Sequence, residues 1–113
     1  MITLCDPDSV DLTNLQRQLL FATADVGARK VDAAKARLAA VNPEVRIETV
    51  ASRVGPDELA PLVAHADVVL DCSDNFATRH AVNRACVTAS KPLVSGAAIR
   101  FDGQVAVFDT RDP

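Results

Sequence analysis

The chain has no tryptophan and no tyrosine, and only four phenylalanines among its 113 residues. Little is left for nucleic-acid bases to stack on. A net charge of −3 and a pI near 5.2 also lack the basic face that a phosphate backbone attracts. No nucleic-acid partner is expected. No apolar run approaches the ~20 residues that span a bilayer. The opening Met1-Ile2-Thr3-Leu4-Cys5-Asp6 has no basic stretch followed by a long apolar one, so neither a membrane role nor a secretory signal is expected. The cysteines at 5, 72 and 86 form no CxxC pair, which excludes a zinc knuckle or a dithiol redox motif. Isolated cysteines suit a reducing cytoplasm. Glycine is equally sparse. Gly27, Gly55, Gly96 and Gly103 stand far apart, so no Gly-rich phosphate loop can be drawn from them.

What is present is a globular composition. Hydrophobic residues at 49% against 24% charged exclude disorder, and the length suits one modest domain. Apolar runs alternate with helical patterns, the mark of an α/β fold with parallel strands. Ile2 to Cys5 reads as a short buried strand leading into Asp6. A helical pattern covers Thr23 to Val41, with Val31, Ala34, Leu38 and Val41 on one stripe and Asn42-Pro43 as its stop. Val45, Ile47 and Thr49 alternate as an outer strand. A second helix falls within Pro56 to His65, where Pro61 is expected to kink or restart it. Val68-Val69-Leu70 suits a central buried strand. Ser73 or Asn75 can cap the next helix, which carries Ala77, Ala81, Ala85 and Ala89 on one stripe. Pro92 to Ile99 returns to the sheet, Asp102-Gly103 offers a turn, and Val105 to Phe108 pairs back. The expected fold is α/β and Rossmann-like: a mostly parallel sheet flanked by helices, with a C-terminal antiparallel hairpin.

In doubly wound folds the ligand sits beyond the carboxyl ends of the strands, and the usual opening is a strand, a Gly-rich loop and a helix. Here the first strand already ends in an acid, Asp6, and no Gly-rich loop follows. The chain is therefore expected to start at the second strand of such a fold and to be a piece of a longer enzyme.

Three clusters near strand ends or helix starts could carry chemistry. In the first, Asp6 can accept ribose hydroxyls, and Asn14 and Arg17 can hold phosphate oxygens, the arginine through its planar fork. Equally, Asp6 and Asp8 can shape a turn while Arg17 is merely solvated. In the second, Gly27-Ala28-Arg29-Lys30, the lysine can reach a phosphate as a point charge or be an ordinary surface residue. The third, Asp71-Cys72-Ser73-Asp74-Asn75, precedes a helix N-terminus, which favours anions. A carboxylate there can hold Mg²⁺ on a nucleotide, or the segment can simply cap the helix. His65 and His80 lack a nucleophile partner and read as surface residues; Cys5, Cys72 and Cys86 read as inert packed thiols.

The segments Asn14-Leu15-Gln16-Arg17-Gln18, Lys30, Leu70-Asp71-Cys72-Ser73-Asp74-Asn75 and Pro92-Leu93-Val94-Ser95-Gly96-Ala97, in this order, resemble the MoeB/ThiF/HesA family, bacterial relatives of the ubiquitin-activating enzymes. The resemblance implies an adenylyltransferase that uses ATP and Mg²⁺ to activate the C-terminal glycine of a ubiquitin-like sulfur carrier protein with a Gly-Gly tail, for molybdopterin or thiamin synthesis. Residues 1–113 would be a partial ATP-binding adenylyltransferase domain. Asp6 would bind the ribose. Asn14, Arg17 and Lys30 would hold phosphates, Thr13 would belong to the same nucleotide site, and Asp74, with Asn75 beside it, would hold Mg²⁺ or help orient the triphosphate. Arg17, Lys30 and Asp74 would carry catalysis. The strand from Pro92 to Ala98 would lie under the carrier tail. The family's zinc site is not in this chain, a homodimer is implied, and the isolated chain is expected to be inactive and to bind Mg-ATP weakly or not at all. The readings left beside it are an inactive carrier-docking or dimerisation module and a dinucleotide-binding Rossmann piece.

Overall fold

A computed structural model describes residues 1–111 and divides the chain into two compact units, Met1–Arg53 and Val54–Pro113.

In the first unit, β1 (Ile2–Cys5) and β2 (Ile47–Val50) pair in parallel, in register from Ile2↔Ile47 to Cys5↔Val50. Parallel strands need a crossover, and α1 (Lys30–Val41) supplies it, burying Val31, Ala33 and Ala34. The helical pattern read from Thr23 onward is interrupted. Thr23–Asp25 forms a single 3-10 turn, and α1 begins only at Lys30. The cause is Gly27, whose φ of +89° is left-handed and is readily adopted only without a side chain. A bridge between Ser9 and Arg29 then holds the chain extended just before the helix. Asn42 ends α1 in an extended conformation, as a residue before proline must. Val41, the last member of the expected stripe, is 80% exposed.

The second unit runs α2 (Pro56–Ala64), β3 (Val69–Asp71), α3 (Phe76–Ala89), β4 (Leu93–Ile99) and β5 (Asp102–Phe108). Its sheet has the order β3-β4-β5, the first pair parallel and the second antiparallel. The α/β class, the parallel pairs and the C-terminal hairpin agree with the expected architecture. Leu59 and Val63 of α2, Val82 and Cys86 of α3, and Leu93 of β4 form the core. Helix α2 runs unbroken through Pro61. Among the described residues no helix is long and apolar enough to cross a membrane.

Several local expectations fail for identifiable reasons. Neither β1 nor β3 is a buried strand: each is paired along one edge within its unit, and Ile2 and Leu70 are exposed. Val69 packs on the core, so its neighbour Leu70 must face the other way. Cys5 and Cys72 are exposed, and only Cys86 is buried. In α3, Ala81, Ala85 and Ala89 pack against the core, but Ala77 is exposed and the deepest contacts are Val82 and Cys86. The hairpin does not turn at Asp102-Gly103. Ile99 pairs with Asp102, so Arg100-Phe101 forms the loop and Arg100 takes the left-handed φ of 54°.

Chemical denaturation of the chain checks this assignment of the core. Leu93→Ala is expected to cost about 2–5 kcal/mol, the usual range for a fully packed leucine. Leu70→Ala is expected to cost no more than about 0.5 kcal/mol, as for an exposed position.

Candidate functional site

In the first unit, the loop after β1 is closed by its own acid. Asp6 Oδ1 accepts the Asp8 N–H at 2.8 Å, a local turn that aspartate forms readily. Backbone bonds then lace this loop to the start of α1: Val10 N–H to Ala28 C=O at 2.8 Å, Gly27 N–H to Val10 C=O at 2.9 Å, and Lys30 N–H to Asp8 C=O at 2.9 Å. Val10 is buried at the centre of this lacing. The first two candidate clusters, 22 residues apart in Asp8 and Lys30, are thereby brought together. Asp6 and Lys30 line one pocket of about 280 Å³ with Leu4, Cys5, Gln18, Phe21, Val31 and Ala34. The Lys30 side chain is largely buried, and its ammonium is 3.4 Å from the exposed Asp8 carboxylate. Partial desolvation pushes the Cys5 thiol above its ordinary pKa, so it lines the pocket as a neutral group.

The Asn14-to-Gln18 run leaves a 3-10 turn, Leu12–Asn14, capped by Asp11. Asp11 accepts the Thr13 hydroxyl at 2.6 Å and the Thr13 N–H at 2.8 Å, bonds that hold its carboxyl below the usual carboxylate range. Asn14 Oδ1 accepts the Asp11 N–H at 3.3 Å. The oxygen atoms of Thr13 and Asn14 are therefore engaged in the cap, and the Asn14 NH₂ is left to donate. Arg17 is exposed, with one contact of 3.3 Å from its guanidinium to the Thr13 carbonyl.

The second unit repeats the device at β3. Asp71 Oδ1 accepts the Ser73 N–H at 2.9 Å. Asn75, not Ser73, caps α3, accepting the Thr78 N–H at 2.9 Å. Asp74 between them is exposed. Asp71 is only 5% exposed, and its charge, after burial itself, raises the Cys86 thiol pKa. Its cationic neighbour is Arg79, at 3.9 Å. Arg79 also donates to Ser95 Oγ at 2.9 Å, to the Gly96 carbonyl at 2.8 Å and to the Ser73 carbonyl. Between α3 and the hairpin lies a groove of about 240 Å³, lined by Phe76, Arg79, Ser95, Ala97, Gln104, Ala106 and Phe108.

Sequence reasoning missed Arg79, and it singled out the segments that hold Asp71 and Gln18 without giving either residue a role of its own. A signal for Arg79 was available: a cation in the first turns of a helix opposes the helix dipole, so such a residue needs acceptors supplied from elsewhere. Gln18 Oε1 and Ser73 Oγ are buried side-chain atoms without a hydrogen-bond partner among the described residues. Native proteins rarely leave such atoms unpaired, and here they fall in two of the three segments that the sequence singles out. The donor set fits a nucleotide: a strand-end acid, a lysine and an orphan acceptor share one pocket. It fits Mg²⁺ only with phosphate as co-ligand. No group of three or more His, Cys, Asp or Glu could hold a metal among the described residues, whereas magnesium commonly takes one carboxylate plus substrate phosphates.

Known proteins resemble this chain in sequence and in fold. The sulfur carrier protein ThiS adenylyltransferase of Escherichia coli K12 is 43% identical over 107 residues, 95% of this chain and 43% of that protein. The molybdopterin-synthase adenylyltransferase of the same strain is 49% identical over 111 residues, 98% of this chain and 45% of that protein. The crystal structure of E. coli MccB with ATP superposes with a TM-score of 0.75 at 32% identity, covering 83% of this chain and 28% of that one. This chain thus spans less than half the length of the curated relatives it resembles. Along its whole length, residues 1–113, it matches the ThiF family, and it belongs to that family.

Proposed function

We propose that residues 1–113 are part of an ATP-dependent adenylyltransferase that activates the C-terminal glycine of a ubiquitin-like sulfur carrier protein. The observation that carries this reading is the first unit's pocket, where Asp6, Lys30 and the unpaired Gln18 oxygen converge. The name of the E. coli sulfur carrier protein ThiS adenylyltransferase supports the substrate class, and the MccB structure with ATP supports the nucleotide.

Asp6 accepts ribose hydroxyls through the lone pairs that its turn leaves free, since a carboxylate has about four acceptor sites. Lys30 holds a phosphate as a point charge, because its distance to Asp8 makes for a weak competing pair. Arg17 and the Asn14 NH₂ donate to phosphate oxygens, and Thr13 contributes by keeping the Asp11 cap in place. In the second unit Asp74 is the exposed carboxylate that would hold Mg²⁺, which would neutralise charge on the leaving pyrophosphate. Asn75 adds an amide donor at the N-terminus of α3, where anions are favoured. The attacking group is the carrier's carboxylate. It is already ionised at neutral pH, so the step needs alignment and charge neutralisation but no base. The exposed positions of His65 and His80 are consistent with that.

The groove beside β4 suits the tail. Ser95, Ala97 and Ala106 present small side chains there, which lets an extended chain lacking side chains of its own lie close. Homodimerisation, and a cytoplasmic location in keeping with the free thiols, complete the proposal.

Two measurements test it. In carrier-dependent exchange of pyrophosphate into ATP by the full-length protein, Asp74→Ala is expected to lower the rate at least ~100-fold, the scale of losing a charge-stabilising group. Circular dichroism should be unchanged, and an unmutated rate in that variant refutes the assignment. Arg17→Ala is expected to weaken ATP binding about 10-fold, the worth of one charged hydrogen bond, while leaving adenosine binding unaltered. Equal losses for both would show a folding defect and not a phosphate contact.

A further inference from the structure

Four protein groups surround one guanidinium in the second unit. Arg79 reaches Ser95 Oγ and the Gly96 carbonyl of β4, the Ser73 carbonyl of the β3–α3 loop, and the Asp71 carboxylate at the end of β3. Its side chain is 22% exposed and that of Asp71 is 4% exposed, so the pair is poorly screened. Arginine is always charged and presents donors in a rigid fork, and one Nη atom here joins two carbonyls from different elements, Ser73 and Gly96. The backbone approach at this point is close. A Cβ at Gly96 would lie 3.4 Å from Cys72 Sγ, so the loop rests directly on β4. Asp74 follows immediately after the bound carbonyl, and the Asn75 cap fixes the other side.

We propose that Arg79 is a positioning residue: it clamps the Asp71–Asn75 loop to β4 and thereby sets where the Asp74 carboxylate stands. This rests on the role given to Asp74 above. Both Nη atoms are occupied by protein acceptors, so Arg79 acts through the loop it holds. A lysine offers a single ammonium and cannot reach acceptors on both sides. The placement matters because a misplacement of about 1 Å at a reacting centre can lower a rate on the order of 100-fold.

The first test needs no nucleotide. In Arg79→Lys, amide hydrogen exchange at Ser73 and Thr78, whose N–H groups Asp71 and Asn75 accept, is expected to quicken at least ~10-fold as the loop opens locally, while Val82 and Cys86 in the core keep their protection. Unchanged exchange in the loop overturns the proposal, and so does equal loss of protection throughout α3. The second test is a cycle of Arg79→Lys and Asp74→Asn in the full-length protein, read by pyrophosphate exchange and by ATP affinity. If Arg79 acts through Asp74, the double variant is no slower than Asp74→Asn alone, and Arg79→Lys lowers kcat with little change in KM for ATP. Additive losses, expected of independent sites, overturn the positioning role alone. No exchange by the unmutated protein overturns the adenylation reading and this proposal together. Ser95→Ala removes one contact without altering α3, and a loss of about 2- to 10-fold is expected, the worth of one hydrogen bond. The same variant should quicken hydrogen exchange at the Ser73 amide, and an unchanged Ser73 amide counts against the proposal.

Discussion

Parallel pairing is the constraint from which both candidate sites follow. The pairs β1–β2 and β3–β4 are each parallel, so each first strand must hand its chain to a helical crossover. The backbone at the strand's carboxyl end then leaves the ladder and needs other partners. Both units meet that need in the same way. An aspartate at the strand end, Asp6 or Asp71, accepts the N–H two residues on, at 2.8 and 2.9 Å. The acids that close these loops are also the ones that bring negative charge to the places where a doubly wound fold binds its ligand.

The two loops differ in how they are held further on. In the first unit the backbone does the work, through the Ser9–Arg29 bridge and the bonds around Val10. The arrangement depends on Gly27 and its left-handed φ. In the second unit a side chain does it, the Arg79 guanidinium. A buried carboxylate such as Asp71 is costly unless it is paired and hydrogen-bonded, and Arg79 with the Ser73 N–H meets both conditions. Against this well-satisfied background, the unpaired Gln18 and Ser73 oxygens stand out. A ligand's donors would complete them.

Much of this was legible in the sequence. The alternation of apolar runs with helical stripes marks an α/β fold, and Asp6, Lys30 and Asp74 could be read as chemistry because they follow strands or open helices. The misreadings have a shared physical origin. Periodicity shows that a segment is apolar but not how many neighbours it has, so β1 and β3 were read as buried although each pairs along one edge only. Turn composition favoured Asp102-Gly103, yet the register placed Arg100 at the bend. Arg79 was overlooked because a lone arginine on a helix looks solvated; only the fold brings Ser73, Ser95 and Gly96 around it. The pairing of Asp6 with Lys30 in one pocket was likewise a guess from motif order until the lacing of Val10 to Gly27 and Ala28 explained it.

The central claim is that the strand-end loop of the first unit is a nucleotide site. The most direct measurement is an NMR titration of the full-length protein with ATP, which registers binding residue by residue. Amide shifts are predicted to cluster at Asp6 to Asp8, Asn14 to Gln18 and Lys30, and to be smaller with adenosine at the phosphate-facing positions Asn14, Arg17 and Lys30. An absence of shifts there, or shifts confined to residues outside the two strand-end loops, would contradict the account.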